Sequence, residues 1–398
     1  MKILLIAPHP FFQARGTPIA VRRVLEFLSA RGHQVDLLTF HEGADVEIPN
    51  CRIFRIVRVP GIRNIRPGFS LKKIVCDTFM FAKCLGMIRR TRYDLIHAVE
   101  EGAFIAAFMQ AVAGVPYVYD MDSSLAEQLV ETYPELQIVF PILRRLEAIA
   151  VRRSLGVLTV CAALEDVALA HAPEKTVGRV EDTTLLTSGA PYSQNGDVRL
   201  PQGADGGPVV MYVGNLERYQ GIGLLLEGFR HTLARVPSAR LVIVGGQGDD
   251  VDRYRSLAAS LGILPAVYFT GPRPLALLGE LFRQADVLVS PRLKGLNTPM
   301  KIYSYLDSGT AVLATRIRTH TQVLNDENAY LVDPEPQALG GGLAELLSDS
   351  ALRERLARQA KAYVQREFTP EAAWRKLDTF YRQMESRAVE ARAVEARA

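Results

Sequence analysis

Short apolar runs alternate with segments of helical periodicity along almost the whole chain. The run from Lys2 to Ala7 is followed by a polar loop and then by 18–30, where apolar residues recur every three or four positions. A second apolar run follows at 35–40, so the chain opens with a right-handed βαβ unit. Alternation of this kind predicts a parallel sheet that is covered by helices on both faces.

The alternation occurs twice, on either side of a stretch rich in Gly, Pro, Asn and Asp. A chain of 398 residues is too long for one ordinary hydrophobic core. We therefore predict an α/β protein with two Rossmann-like, doubly wound parallel-sheet domains, at 1–186 and 209–368, joined by a linker at 187–208. Beyond them we predict an amphipathic helix at 369–386 and a solvated, charged repeat tail at 387–398.

The charge and the cysteine pattern restrict the class of protein. The formal net charge of +4 is mildly basic, which favours anionic ligands but does not require nucleic acid. The four cysteines show no CxxC spacing, so neither a zinc site nor a disulfide framework is indicated. The apolar N-terminal run is too short for a signal peptide or a membrane span. These features indicate a cytoplasmic protein without a metal site and without a nucleic-acid partner.

The loops that follow the strands are the expected place for a ligand. In open parallel sheets ligands bind beyond the carboxyl ends of the strands, so two such domains that face each other form a cleft. Thr17-Pro18 and Thr298-Pro299 each place Thr at an expected N-cap and Pro at the first helical position. The free amides at such a helix start favour an anion.

Three cations surround the second of these helix starts, namely Arg292, Lys294 and Lys301. Their charge makes a phosphate group the expected ligand. The alternative is a capped structural helix that carries lysines on its surface. No loop contains a Walker motif or a GxGxxG fingerprint, so the sequence does not support a P-loop enzyme or a dehydrogenase.

An ordered series of short motifs gives the chain a resemblance to a known family. The motifs are Asp94-Leu-Ile-His-Ala, Val115-Pro-Tyr-Val-Tyr, Thr187-Ser-Gly-Ala-Pro, Tyr212-Val-Gly-Asn-Leu, Leu241-Val-Ile-Val-Gly-Gly-Gln-Gly, Phe269-Thr-Gly, Ala285-Asp-Val-Leu-Val-Ser-Pro and Lys301-Ile-Tyr-Ser-Tyr-Leu-Asp-Ser-Gly. In this order they resemble the retaining glycosyltransferases of family four, which have the GT-B fold. The resemblance implies transfer of a sugar from a UDP- or GDP-sugar, with no metal or other cofactor. It also implies a C-terminal domain that holds the donor, an N-terminal domain that holds the acceptor, and a last helix, here 369–386, that crosses back to the first domain.

The family's donor-binding roles can be carried over position by position. The residues that the resemblance implies are Gly16, Thr17, Gly214, Asn215, Gln220, Gly271, Arg273, Arg292, Gly295, Leu296, Asn297, Thr298, Lys301 and Ser304. Four positions depart from the family pattern, which usually has Arg at 215, Lys at 220, Glu at 304 and an acidic residue at 294. One hypothesis is relocation, in which Arg292, Lys294 or Lys301 meets the charge of the diphosphate instead. The alternatives are a non-catalytic partner protein that has lost its donor site, and a phosphorylase that uses inorganic phosphate.

The candidate catalytic residues are Asp122, Asp120 and Lys294. Many relatives have a histidine at the place of Asp122, and a carboxylate there would orient the donor sugar or stabilise an oxocarbenium-like transition state. The Asp-Met-Asp sequence also looks like the metal-binding DxD motif of the GT-A fold, an interpretation that the second Rossmann-like half disfavours. Glu100 and Glu101 follow another strand and are candidate acceptor residues. The alternative for these two is a solvated helix start.

The segment 62–93 is basic and amphipathic. It contains eight cationic residues and one acidic residue, Asp77, with apolar residues interleaved among them. Such a composition is typical of a helix on an anionic membrane surface, where it would bring the active site to a lipid-linked acceptor at the inner face of the membrane. The alternative is a helix whose apolar face covers the sheet and whose basic residues are solvated. We expect a lipid-linked or polysaccharide acceptor, in the synthesis of a glycolipid or a cell-surface glycan.

Overall fold

The structure is a computed structural model, and it describes residues 1–13, 16–65, 70–186, 200 and 206–395. The chain forms two compact units. Unit 1 consists of Met1–Glu181 and Ala373–Ala398, and unit 2 consists of Asp182–Ala372. These boundaries lie a few residues from those predicted at 186 and 368, and most of the predicted linker at 187–208 lies outside the described residues.

Unit 1 is built from alternating strands and helices. Its strands are β1 (Lys2–Ala7), β2 (Gln34–Thr39), β3 (Cys51–Arg55), β4 (Leu95–Val99), β5 (Tyr117–Met121), β6 (Gly156–Thr159) and β7 (Val177–Arg179). Its first helices are α1 (Gly16–Ala30), α2 (Leu71–Arg90), α3 (Gly102–Ala113), α4 (Leu125–Thr132), α5 (Phe140–Arg153) and α6 (Ala162–His171).

Unit 2 repeats the alternation, and the chain then returns to unit 1. The strands of unit 2 are β8 (Val209–Val213), β9 (Arg240–Val244), β10 (Val267–Gly271), β11 (Val287–Ser290), β12 (Ala311–Thr315) and β13 (Tyr330–Val332). Its helices are α7 (Ile222–Arg235), α8 (Gly248–Ser260), α9 (Leu278–Phe282), α10 (Lys301–Asp307), α11 (Arg318–Thr321), α12 (Pro336–Ser348) and α13 (Ser350–Glu367). The last helix, α14 (Pro370–Glu395), belongs to unit 1 from Ala373 onward.

Both sheets are doubly wound. The seven-stranded sheet has the order β3-β2-β1-β4-β5-β6-β7, and the six-stranded sheet has the order β10-β9-β8-β11-β12-β13. The pairings along both sheets are parallel. The strand order therefore reverses between β1 and β4 in unit 1 and between β8 and β11 in unit 2. Loops diverge at such a switch point and open a crevice beyond the carboxyl ends of the strands, which is where a ligand is expected.

Helix α14 covers one face of the unit 1 sheet. Phe380, Tyr381 and Met384 are buried in the same core as residues of β1, β2 and α1. Helices α2, α3 and α5 contribute to the core on the other face. Ala388 is fully buried as well, and α14 continues to Glu395. Most of the segment predicted as a repeat tail is therefore helical.

A close contact between α7 and α12 fixes the helix that follows the β8 loop. A Cβ at Gly340 would overlap the backbone of Gly228 and would lie 2.6 Å from the Cβ of His231. The Thr232 hydroxyl donates a hydrogen bond of 3.2 Å to the carbonyl of Gly340. Gly340 therefore allows the two helices to approach, whereas the neighbouring Gly341 has open space at its Cβ position.

We expect Gly340→Ala to lower the free energy of unfolding by about 1–3 kcal/mol, because the added methyl group forces the two helices apart. Gly341→Ala in the same helix is the matched control. It should be neutral, or stabilising by up to about 1 kcal/mol, because alanine favours helix. Urea unfolding of both variants measures the difference, and equal effects at the two positions would contradict the close packing.

Candidate functional site

The loops after β8 and β11 lie against each other at the switch point of unit 2. The amide of Leu293 donates a hydrogen bond of 2.8 Å to the carbonyl of Tyr219, which links the two loops. Gly221 has φ 76°, and a Cβ there would overlap the carbonyl oxygen of Pro291. Glycine alone fits both this conformation and this close approach. The β8 loop is therefore held against the loop that carries the predicted cations.

Lys301 lies beneath the β8 loop. Its Nζ is 3.9 Å from the centre of the Tyr212 ring and donates a hydrogen bond of 3.1 Å to Oε1 of Gln220. A Cβ at Gly214 would lie 2.9 Å from this nitrogen. The amine therefore lies close to the backbone at Gly214, where no side chain covers it. The sequence indicated Lys301 as a ligand for a phosphate, but it did not indicate the pairing with Gln220.

Arg292 is the second cation of this region, and it is buried. Its guanidinium stacks on Tyr219, with Cζ 5.1 Å from the ring centre. Nε donates a hydrogen bond of 2.7 Å to the carbonyl of Lys294, and Nη2 donates one of 3.2 Å to Oδ1 of Asn297. These bonds wrap the loop around the guanidinium. We call Arg292 and Lys301 the basic pair.

Each member of the basic pair disfavours the charge of the other. Burial, and then the charge of Arg292, hold the pKa of Lys301 well below its usual value. Burial also lowers the pKa of His320 to about 3, and the charges of Arg292 and Lys301 add to that effect. Within the described residues, Lys301 has no ion pair with a carboxylate. A bound anion would relieve this repulsion and favour the charged amine.

Thr298 does not cap the helix that follows it, so this expectation is wrong. Helix α10 begins at Lys301 and has no side-chain cap. The amide of Ile302 donates a hydrogen bond of 2.9 Å to the carbonyl of Pro299, so a tight turn precedes the helix and moves its start along the chain. The Thr298 hydroxyl is buried, without a hydrogen-bond partner among the described residues. Because α10 is short, the charge at this site comes from side chains.

The other predicted donor residues of unit 2 fall into two groups. Those on the surface of the loops are exposed or partly exposed, namely Asn215, Gly271, Arg273, Lys294, Gly295 and Leu296. Ser304, in contrast, is buried in α10, and its Oγ accepts a hydrogen bond of 2.9 Å from the amide of Leu185. The structure therefore places Ser304 in the interior of unit 2, away from the surface of these loops.

In unit 1, Glu100 and Glu101 follow β4 at the switch point and join a charged cluster. Glu100 has the left-handed φ of 46° and accepts a hydrogen bond of 3.4 Å from the Ser123 hydroxyl. Lys73 of α2 forms an ion pair with Glu101, and its Nζ lies 3.9 Å from Glu100. The sequence indicated the two glutamates. It did not indicate Lys73, because nothing in a basic helix marks which lysine is turned inward.

Carboxyl groups outnumber the cation in this cluster. Burial, with the charge of Glu101, raises the pKa of Asp77 to about 8. Burial also raises the pKa of Glu100 to about 7, although Lys73 acts in the opposite direction. Oδ1 of Asp77 is buried and has no hydrogen-bond partner among the described residues. The cluster therefore retains protons at neutral pH that the same groups would lose in water.

Asp120 is tied into unit 1 through β4 and α14. Its Oδ2 is 2.9 Å from Nε2 of His97, and Nδ1 of His97 is 2.6 Å from the hydroxyl of Tyr381. His97 and Tyr381 are fully buried. Asp122 is largely buried and comes directly after β5. The two aspartates thus lie at the carboxyl end of β5, and the first is connected to the last helix of the chain.

Gly16 and Thr17 lie at the start of α1, which follows β1 at the switch point of unit 1. The helix begins at Gly16 with φ 34°, so Thr17 lies inside the first turn and is not the expected N-cap. Pro18 is accommodated because amides in the first turn have no partner within the helix. Residues 14 and 15 lie outside the described part of the chain.

No group of three or more His, Cys, Asp or Glu side chains is arranged to hold a metal ion among the residues that the structure describes. In the same part of the chain, no helix is both long enough and apolar enough to cross a membrane. The four cysteines are free thiols.

Known protein families match both halves of the chain. The model described as Glycosyltransferase Family 4 matches 14–177, and the one described as Glycosyl transferases group 1 matches 200–363. The phosphatidyl-myo-inositol mannosyltransferase of Mycobacterium tuberculosis is 29% identical over 92% of this chain and 93% of its own. An uncharacterised glycosyltransferase of Methanocaldococcus jannaschii is 24% identical over 93% of this chain and 95% of its own.

Solved structures share the same architecture. Sucrose-phosphate synthase from Thermosynechococcus elongatus has a TM-score of 0.79 at 22% identity, over 97% of this chain and 99% of that one. Anabaena HepE in complex with UDP-glucose has a TM-score of 0.72 at 19% identity, over 96% and 99%. The fold is therefore that of the GT-B glycosyltransferases, as the resemblance predicted. Since the two family models together span most of the sequence and both describe glycosyltransferases, the chain belongs to the glycosyltransferases, and its N-terminal half matches family 4.

We expect the free energy of unfolding to fall as the pH rises from about 4 to about 8. In this window the folded protein keeps protons on Asp77 and Glu100 that the unfolded chain has released, so rising pH favours the unfolded state. Asp77→Asn removes one of these titrating groups and should make the decline less steep. Urea unfolding at several pH values measures both slopes. Parallel curves for the two proteins would contradict the raised pKa of Asp77.

Proposed function

We propose that the protein is a retaining glycosyltransferase that uses a nucleotide diphosphosugar and a lipid-linked or polysaccharide acceptor. One observation carries the proposal: the basic pair lies at the switch point of unit 2, and Lys301 has no carboxylate partner within the described residues. A diphosphate supplies the counter-charge that Lys301 lacks within the described residues. The complexes of Anabaena HepE with UDP and with UDP-glucose support this class of donor.

The position of Lys301 supports relocation of the donor-binding charge. The family pattern has a lysine at 220, where this chain has Gln220, and Nζ of Lys301 lies 3.1 Å from Oε1 of that glutamine. The amine of Lys301 therefore supplies a positive charge within hydrogen-bond distance of the position where the family has its lysine. Lys294 is exposed, and its carbonyl rather than its amine contacts Arg292. We therefore assign the diphosphate to the basic pair, with Lys294 at the outer surface of the loop.

The proposed transfer breaks the bond between the anomeric carbon and the phosphate oxygen, and the electron pair leaves with the nucleoside diphosphate. The acceptor hydroxyl oxygen forms the new bond on the same face of the sugar, and its proton passes to the departing phosphate. The basic pair stabilises the developing negative charge. We assign the stabilisation of the oxocarbenium-like sugar to Asp122, and a positioning role to Asp120 through His97. In this proposal the two side-chain cations take the place of a metal ion.

For the acceptor we propose Glu100 and Glu101, which lie at the switch point of unit 1. Carboxylates accept hydrogen bonds from sugar and polyol hydroxyls, and a protonated Glu100 also donates one. The relative in Mycobacterium tuberculosis is named a phosphatidyl-myo-inositol mannosyltransferase. That name supports a polyhydroxylated acceptor that is linked to a lipid.

We expect Lys301→Met and Arg292→Met to weaken binding of UDP or GDP at least about ten-fold, because each removes a charge-assisted contact with the diphosphate. Lys361→Met, an exposed lysine of α13, is the control and should bind normally. Wild-type affinity should rise as the pH falls, because the pKa of Lys301 is lowered in the free protein and a bound anion favours the charged amine. Lys301→Arg should bind with little dependence on pH.

Isothermal titration calorimetry at several pH values measures these affinities. Failure of every nucleoside diphosphate to bind would refute the proposal and favour the non-catalytic partner protein. Binding of inorganic phosphate alone would favour the phosphorylase.

We expect a screen of UDP- and GDP-sugars to find one donor that the protein hydrolyses or transfers, and the product to keep the anomeric configuration of that donor. Asp122→Asn should lower kcat about a hundred-fold with little change in KM, because the charge acts in the transition state. Asp252→Asn, an exposed carboxylate of α8, is the control. NMR of the product reads the anomeric configuration, and inversion would refute the retaining mechanism.

A further inference from the structure

Three helices of unit 1 form one layer over the same face of its sheet. Cys76 and Met80 of α2, Ala106 of α3, and Ala150 and Val151 of α5 are buried in a common core with side chains of the sheet. The helices are neighbours of one another. The ring of Phe81 in α2 is 5.0 Å from that of Phe108 in α3, and Gln110 in α3 donates a hydrogen bond of 3.0 Å to the carbonyl of Arg153 in α5.

The outer side of this layer carries large apolar side chains that are exposed to solvent. Ile142 is 60% exposed and Leu71 is 78% exposed, and it is the grouping of such residues that marks an interaction surface. The exposed apolar residues recur at helical spacing on each helix and on the short turn before α5: Leu71, Ile74, Val75 and Phe79; Phe108 and Val112; Ile138, Ile142, Leu146 and Ile149. They make up ten of the sixteen exposed large apolar side chains among the described residues. We call this surface the apolar layer face.

The polar residues on the same helices are almost all cationic at the surface. Exposed cations accompany the apolar stripes on α2 and α5: Lys72, Arg89, Arg90, Arg144, Arg145, Arg152 and Arg153. The acids of these two helices are Asp77 and Glu147. Glu147 is 1% exposed and bonds with Ser124 and His171, and Asp77 belongs to the cluster around Lys73. Since both acids are turned inward, the outer surface of α2 and α5 is positive.

We propose that the apolar layer face, formed jointly by α2, α3 and α5, docks the protein on an anionic lipid surface. The apolar stripes would enter the boundary between headgroups and acyl chains, and the flanking arginines and lysines would meet lipid phosphates. A protein partner of ordinary composition would need exposed acids opposite these cations, whereas an anionic bilayer provides negative charge over the whole area. The inference extends the expectation for 62–93, because α5 contributes as many exposed aliphatic residues as α2. The inference deepens the proposed function and rests on it, because docking brings the protein to a lipid-linked acceptor only if such an acceptor is its substrate.

Sedimentation with vesicles tests the proposal on the full chain, without nucleotide. The protein should bind vesicles of phosphatidylcholine with one-third phosphatidylglycerol at least about ten-fold more strongly than vesicles of phosphatidylcholine alone. Ile142→Glu with Leu146→Glu should reduce that binding at least about ten-fold. Val389→Glu is the matched control, since Val389 is 64% exposed on α14, on the other side of the sheet, and it should bind like the wild type.

A second pair of variants tests the charges. Arg144→Gln with Arg145→Gln should weaken binding to the anionic vesicles several-fold, and Arg355→Gln with Arg358→Gln, on the exposed side of α13 in unit 2, should not. All four substituted residues are exposed, so circular dichroism and the unfolding midpoint should match those of the wild type.

Absence of vesicle binding, equal binding to neutral vesicles, or equal loss in the control variants would overturn the proposal. The proposal would also be overturned if the wild type were a dimer in solution and Ile142→Glu dissociated it. That result would show that a second copy of the chain covers this face. Titration with UDP or GDP without vesicles separates this result from the proposed function. Normal nucleotide binding with no vesicle binding would refute docking alone, and the reverse would refute the donor site alone.

Discussion

Parallel strand pairing is the constraint on which the candidate residues of each unit depend. A parallel strand can be joined to its neighbour only by a crossover, so the strands of each unit end at one edge of the sheet. Loops diverge along that edge only where the strand order reverses, between β1 and β4 and between β8 and β11. Glu100 follows β4, and the basic pair stands at the β8 and β11 loops. The chemistry of the protein is thus concentrated where the topology leaves room for a ligand.

The ionisable groups at these positions are of opposite kinds in the two units. In unit 1, carboxyl groups outnumber Lys73, and burial makes them hold protons. In unit 2, Lys301 and Arg292 repel one another, and burial disfavours the charged amine. A buried charge without a counter-charge costs stability, and within the described residues Lys301 has no carboxylate partner. Under the proposed function, sugar or polyol hydroxyls bind at the first cluster and the diphosphate binds at the second.

Periodicity predicted most of the architecture, because alternating strands and helices leave a pattern within each short segment. The search for apolar runs misses strand β3, because Arg52, Arg55 and the preceding Pro49-Asn50 leave no continuous apolar run there. The proposed Thr298 cap was wrong because a turn at Pro299, which no local preference specifies, sets the start of α10. The sequence also could not show whether Lys294 or Lys301 is the better candidate for the diphosphate. That choice depends on which amine reaches Gln220, and the structure shows that it is Lys301. The contact of His97 with Tyr381 joins residues 284 positions apart.

Helix α14 has a consequence for the order in which the protein is made. The core that contains β1, β2 and α1 also contains Leu377, Phe380, Tyr381 and Met384, which follow unit 2 in the chain. All of unit 2, from Asp182 to Ala372, is synthesised before them. One face of the first sheet therefore stays uncovered while the second unit can already fold. Although domains usually fold from the N-terminus onward during synthesis, the first unit of this chain is the last to be completed.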